Sequence, residues 1–228
     1  MVKILVVISL LFFCGFQSLG QITAEIGKSS YPFLLSLPEK SDSAAKQPLL
    51  IFLHGRSLSG TNLQKVRQYG VIHELDKGRK VPMFVVAPQV KAGESWSPDK
   101  LNELLDYMLA NYNVDSSRIY VAGMSLGGYG TLHFAGKYAG RIAAAAAFCG
   151  GGNVQDACSL ATLPLWIVHG TSDKAVPFSE SKKMVTAIKN CKGENQLTFT
   201  VMKGGNHGAP EKYFRTDEFY DWLLSHKK

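Results

Sequence analysis

Ile119-Tyr120-Val121-Ala122-Gly123-Met124-Ser125-Leu126-Gly127-Gly128-Tyr129-Gly130-Thr131-Leu132 is the stretch on which the reading of this chain turns. Its first four residues are apolar and β-prone, as a buried strand requires, and Leu126–Tyr138 reads as a helix. Between the two stands a Gly-x-Ser-x-Gly motif. A sharp strand-to-helix turn needs small neighbours, because a side chain at Gly123 or Gly127 would collide with the flanking backbone. Such a turn exposes the Ser125 hydroxyl and aims the positive end of the helix at it.

Further strands and helices alternate on either side of this unit. Leu49–Leu53, Met83–Ala87 and Leu165–Val168 are short, nearly continuous apolar runs, which suits parallel strands buried on both faces; Leu197–Met202 is a fifth strand. Asp99–Ala110 sets Leu101, Leu104, Leu105 and Met108 on one helical face, and Ser179–Asn190 and Thr216–Ser225 also read as helices. Ala143–Ala147 has helix-favouring alanines but runs into Cys149-Gly150-Gly151-Gly152, so a strand ending in a loop is expected there. Tyr31–Leu37 is a short extended patch, and Ser41–Ala44 a turn. The expected fold is α/β, a mostly parallel central sheet with helices on both faces, in one domain over residues 21–228.

Composition narrows the function. Of 228 residues, 46% are hydrophobic and 19% charged, which excludes a disordered chain and allows a core without metal or disulfide staples. The net charge of +7 comes from scattered basic residues rather than runs, so no nucleic-acid partner is expected. Lys3, the apolar run Ile4–Phe16 and small residues at Ser18 and Gly20 read as a signal peptide over 1–20, cut before Gln21. A periplasmic or secreted protein without stable membrane insertion follows, with a lipid anchor at Cys14 as the weaker alternative, since bulky Phe13 precedes it. In an oxidising compartment Cys149, Cys158 and Cys191 can form at most one internal pair. Cys158–Cys191 fits if both lie at one end of the sheet; Cys149–Cys158 is the open alternative.

Three more loops supply chemistry. A serine hydroxyl needs a base, and the base needs an orienting acid. Asp173 follows strand Leu165–Val168, and His207 lies in Gly204-Gly205-Asn206-His207-Gly208 after strand Leu197–Met202. The chain order Ser125, Asp173, His207 puts all three on strand tips. Acyl transfer develops negative charge on a carbonyl oxygen, which the backbone N–H groups of Leu126 and Arg56, the latter in His54-Gly55-Arg56-Ser57, can receive. His54 itself is expected to shape that loop by hydrogen-bonding backbone. Gln89 and Trp96 follow strand Met83–Ala87 and are candidates for substrate contact; His73, His133 and His226 are expected to be structural or solvated. No Cys/His spacing suits zinc and no phosphate loop appears, so neither metal nor cofactor is expected.

Together Leu53-His54-Gly55, Gly123-Met124-Ser125-Leu126-Gly127-Gly128, His169-Gly170-Thr171-Ser172-Asp173 with Val176-Pro177, and Gly205-Asn206-His207 resemble the α/β-hydrolase superfamily. Within it the chain is similar to the phospholipase/carboxylesterase and dienelactone-hydrolase-like group, including secreted feruloyl- and acetyl-esterase-type enzymes. The resemblance implies a serine esterase with Ser125 as nucleophile, His207 as base and Asp173 as orienting acid. The implied partner is a small-molecule or glycan ester. Arg56 departs from the small or apolar residue many relatives carry. Competing readings are a serine peptidase of the prolyl-oligopeptidase type and a non-catalytic carbohydrate-binding protein on the same fold.

Overall fold

A computed structural model describes residues 22–39, 45–191 and 196–228; the signal segment Met1–Gly20 with Cys14, and the turn Ser41–Ala44, lie outside them. In chain order the elements are β1 (Thr23–Glu25), β2 (Phe33–Ser36), β3 (Gln47–Leu53), α1 (Val71–Asp76), β4 (Phe84–Pro88), α2 (Pro98–Asn111), β5 (Val114–Met124), α3 (Leu126–Lys137), β6 (Ala144–Phe148), α4 (Ala157–Leu160), β7 (Leu165–Gly170), α5 (Phe178–Asn190), β8 (Leu197–Met202) and α6 (Asp217–Leu224). The strands form one sheet in the order β1-β2-β4-β3-β5-β6-β7-β8. From β4 to β8 every pairing is parallel, while β1 and β2 add an antiparallel edge.

Alternation along the strands divides the core in two. Leu49, Ile51 and Leu53 of β3 join α2, α3 and α5 on one face, through Leu104, Phe134, Met184 and Ile188. Leu50 and Phe52 point the other way, to Val71 and Ile72 of α1 and Phe219 and Leu223 of α6. Both faces are thus covered, and the strands read as unbroken apolar runs for that reason. Each fully buried side chain of this size is worth roughly 1.5–3 kcal/mol of transfer free energy, so pattern rather than propensity governs the assignment. The alanines of β6 illustrate it. They sit at the sheet centre between β5 and β7, where small side chains let α3 approach closely, and the tertiary setting overrides their helix preference.

Three elements escaped the periodicity. β1 has three residues, α1 has six, and α4 has four, too short for a hydrophobic period to register. The strand expected at Ile119–Ala122 is β5, which starts earlier, at Val114, and runs on to Met124. The extended patch at Tyr31–Leu37 is β2, hydrogen-bonded between β1 and β4.

Candidate active site

Ser125 occupies the single residue between β5 and α3 with φ 59° and ψ −120°, a conformation that costs a non-glycine residue of order 1–3 kcal/mol. Close packing holds it there. A Cβ at Gly127 would stand 1.8 Å from the carbonyl oxygen of Leu53, and one at Gly123 2.5 Å from that of Gly127, so the turn is closed against β3 by glycine alone. The Ser125 N–H donates to the Phe148 carbonyl at 2.9 Å, tying the turn to β6. Leu126 is the first residue of α3, where backbone N–H groups have no intrahelical acceptor.

The acid and the imidazole meet across the tips of β7 and β8. Ser172 N–H donates to Gly205 O at 2.9 Å, and Gly204 N–H to Thr171 Oγ1 at 2.9 Å, which laces the two loops together. Asp173 Oδ1 accepts from the N–H groups of Ala175 (2.8 Å) and Val176 (2.9 Å). Its Oδ2 accepts from His207 Nδ1 at 2.7 Å. Burial of the carboxylate would raise its pKa, but the hydrogen bonds from His207, Val176 and Ala175 outweigh this and hold it below the usual carboxylate range. The bond to Nδ1 leaves Nε2 as the nitrogen of His207 free for chemistry. Ser125 and His207 line one cavity of about 760 Å³, together with Arg56, Tyr69, Leu126 and Tyr129.

A second histidine sits on the same carboxylate. His169 Nε2 lies 3.2 Å from Asp173 Oδ2 and 3.0 Å from Val176 O, while Nδ1 lies 2.7 Å from Ser181 Oγ of α5. Ser181 in turn donates to Gly150 O at 2.7 Å, and both His169 and Ser181 are fully buried. Sequence reading saw His169 only as part of a motif. Its position four residues before Asp173, on a strand tip, is the signal that could have found this network.

The loop after β3 carries Arg56, which opens a short 3₁₀ turn at Arg56–Leu58 and reaches the cavity wall. His54 braces it from beneath. Its Nδ1 donates to Gly55 O at 2.7 Å and its Nε2 accepts from Val90 N–H at 3.3 Å, a pairing that requires the neutral ring. Burial lowers its pKa to about 4. Gln89 and Trp96, expected as candidates for substrate contact, point away from this cavity. Both are buried and neither lines the cavity. Gln89 donates to Leu58 O (2.7 Å) and Asn62 O (2.9 Å), and Trp96 Nε1 to His54 O (3.2 Å), so the polypeptide after β4 turns inward and braces the Arg56 loop. His73, expected to be structural or solvated, is itself part of the cavity wall, with Nδ1 3.1 Å from Arg67 O.

Cys158 on α4 is bonded to Cys191 at the end of α5, and Cys149 is free and buried. Cys149, Asp173 and His207 offer atoms within 4.8 Å of one another. That cluster is a hydrogen-bonded one: Asp173 and His207 satisfy each other, the Cys149 thiol donates to His207 O at 3.5 Å, and burial pushes the thiol up to about 12. A thiolate ligand is therefore disfavoured here.

The phospholipase/carboxylesterase family model matches residues 85–218, more than half of the chain and the span that carries all three strand-tip residues. The chain belongs to this family. Over 148 residues it is 30% identical to a bifunctional acetylxylan esterase/xylanase from Neocallimastix patriciarum, covering 61% of this chain and 21% of that protein. Over 128 residues it is 28% identical to a poly(3-hydroxyalkanoate) depolymerase from Paucimonas lemoignei, covering 49% and 30%. The chain thus spans about a fifth to a third of the length of these curated relatives. Among solved structures, a thermostable esterase superposes with a TM-score of 0.79 at 26% identity, over 91% of this chain and 63% of its own. A feruloyl esterase module from Clostridium thermocellum does so at 0.66 and 17%, over 88% and 87%. The eight-stranded, mostly parallel sheet of this family member is that of an α/β-hydrolase.

Proposed function

We propose that this protein is an exported serine esterase, hydrolysing carboxylic esters through an acyl-enzyme at Ser125. The observation that carries the reading is the 2.7 Å bond between Asp173 and His207 Nδ1, with His207 and Ser125 in one cavity. Ser125 Oγ attacks the ester carbonyl carbon and its proton passes to His207 Nε2, while the carbonyl electron pair moves onto oxygen. The N–H groups of Arg56 and Leu126 receive that charge. The intermediate collapses, the bond to the alcohol oxygen breaks, and His207 returns the proton to the departing alcohol. Water, deprotonated by the same nitrogen, then attacks the acyl-enzyme and releases the acid and free Ser125. Asp173 holds the tautomer and stabilises the imidazolium.

Residues 1–20 act as the export signal in this reading, and residues 21–228 as one catalytic domain. The similarity to a bifunctional acetylxylan esterase/xylanase supports acetylated glycans as the ester class. The mechanism is tested with a nitrophenyl acetate assay and a fluorophosphonate probe. Wild-type protein is expected to turn over the ester and take up the probe at Ser125, and Ser125→Ala to lose both. Undiminished turnover by Ser125→Ala would sink it. Peptide turnover exceeding ester turnover on the same preparation would shift the assignment to a peptidase.

A further inference from the structure

Tyr69 stands on the wall of the cavity that holds Ser125, and its hydroxyl oxygen is already engaged as an acceptor. Gly55 N–H donates to it at 2.9 Å and Ser57 Oγ at 3.3 Å. A phenol that accepts two bonds still has its own proton to give. No carbonyl or carboxylate among the described residues takes that proton. If the longer contact is reversed, the taker is an exposed serine hydroxyl that water can replace.

The position of this hydroxyl is built, not incidental. Gly70, the next residue, adopts φ 77° and ψ −154°, a region open essentially to glycine, and a Cβ there would fall 2.2 Å from Phe52 Cζ. The chain therefore delivers Tyr69 to the cavity on a fixed turn. A Cβ at Gly55 would lie 2.7 Å from Tyr69 Oη and 3.4 Å from Ser125 Cβ, so phenol and serine flank the same glycine. That glycine leads directly into Arg56. Its N–H is turned to the phenol and so is not available to a substrate oxygen.

We propose that Tyr69 is a catalytic residue that donates its phenolic hydrogen bond to the carbonyl oxygen of the bound ester, as a third oxyanion donor beside the N–H groups of Arg56 and Leu126. The proposal rests on the esterase reading above. The Gly55 N–H aims the phenol oxygen, and the proton left over faces the developing charge. Burial raises the phenol's pKa, which keeps the donor protonated.

Two variants of the full chain test this with nitrophenyl acetate. Tyr69→Phe is expected to lower kcat about 10²-fold, the usual effect of one lost oxyanion donor, with KM little changed. Because Phe also removes the acceptor for Gly55 N–H, the second variant replaces Tyr69 with 2,3,5-trifluorotyrosine, whose phenol is far more acidic. Its phenolate is a better acceptor for Gly55 N–H but cannot donate. The expected result is a new alkaline loss of kcat that follows the phenol's own titration, read by absorbance in the same sample. A structural role for Tyr69 predicts no such limb. A flat kcat across that titration, or Tyr69→Phe within about twofold of wild type, overturns the proposal while leaving an active, probe-labelled Ser125 and the esterase reading intact. Wild-type protein that neither hydrolyses the ester nor labels at Ser125 overturns both.

Discussion

The buried neutral histidine under the Arg56 loop makes stability depend on pH in a defined window. His54 is fully buried, donates from Nδ1 to Gly55 O and accepts at Nε2 from Val90 N–H. A second proton has no acceptor there, and burial lowers its pKa from 6.5 to about 4. Between those values the unfolded chain binds a proton at residue 54 that the folded chain refuses. Stability therefore rises with pH across the window; it is fully present above the unfolded value and is lost as pH falls towards 4. The gap corresponds to about 3 kcal/mol over the whole window, of which about 2 kcal/mol falls between pH 7 and pH 4.5. His226, whose pKa burial also lowers, contributes equally to wild type and variant. The paired carboxylates, such as Asp115 at about 2, release their stability only at still lower pH. Urea unfolding of wild type and His54→Gln at pH 7, 5.5 and 4.5 isolates the effect. Whatever its stability at neutral pH, the variant should lose about 2 kcal/mol less than wild type on acidification. Parallel pH profiles would refute the assignment of a neutral, hydrogen-bonded His54.

Two further outcomes follow from the surroundings of the site. Replacing Cys158 and Cys191 by Ser opens a cross-link of sequence separation 33, which the chain-entropy model values at about 4 kcal/mol; calorimetry should show Tm falling by roughly 10 °C in a chain of this size, and an unchanged Tm would exclude a stabilising bridge. His169→Phe removes a ring nitrogen from Asp173 and the Nδ1 contact to Ser181, so a stability loss of about 1–3 kcal/mol and a lower kcat with largely retained KM are expected; wild-type values of both would remove His169 from the positioning of Asp173.

Burial on both faces made much of this molecule legible. The buried stretch of each central strand had to be apolar, and each strand tip had to carry a loop, so strand ends together with the Gly-x-Ser-x-Gly motif pointed to Ser125, Asp173 and His207 as candidates. The α2 helix announced itself through Leu101, Leu104, Leu105 and Met108 on one face, and Ser97 at its N-cap with Pro98 in the first turn sets its start one residue before the expected Asp99. What stayed hidden has a common cause, the sidedness of irregular chain. Gln89 and Trp96 lie beyond the correct strand, but the count of residues past a strand end does not say whether a side chain turns to the cavity or back beneath the neighbouring loop. Tyr69 follows a 3₁₀ stretch, Leu63–Arg67, whose two buried apolar residues, Leu63 and Val66, are too few for a hydrophobic period to register. His169 was placed one residue beyond Leu165–Val168; β7 continues to Gly170, and that extension keeps His169 inside, against α5.

The two sides of the cavity are held by different electrostatic means, and this bears on how the site would respond to change. On the β7 and β8 side a carboxylate is stabilised by converging donors, so its surroundings must remain rich in N–H groups. On the β3 side the Arg56 loop is braced by neutral buried groups, His54, Gln89 and Trp96, each bonded to backbone. A charge placed among those neutral groups would be unpaired in a low-dielectric setting and would break the bonds that fix the loop. Donors to a transient oxyanion stabilise it without reorganisation only if their own positions are set beforehand. In the proposed mechanism the neutral brace therefore has a catalytic consequence although none of its side chains reaches the cavity. Substitutions at His54, Gln89 or Trp96 should act through kcat by loosening donors. Altered substrate preference should instead map to other lining residues, Gln68, His73, Glu211 and Arg215, of which Arg215 is already paired with Glu211 and Glu74.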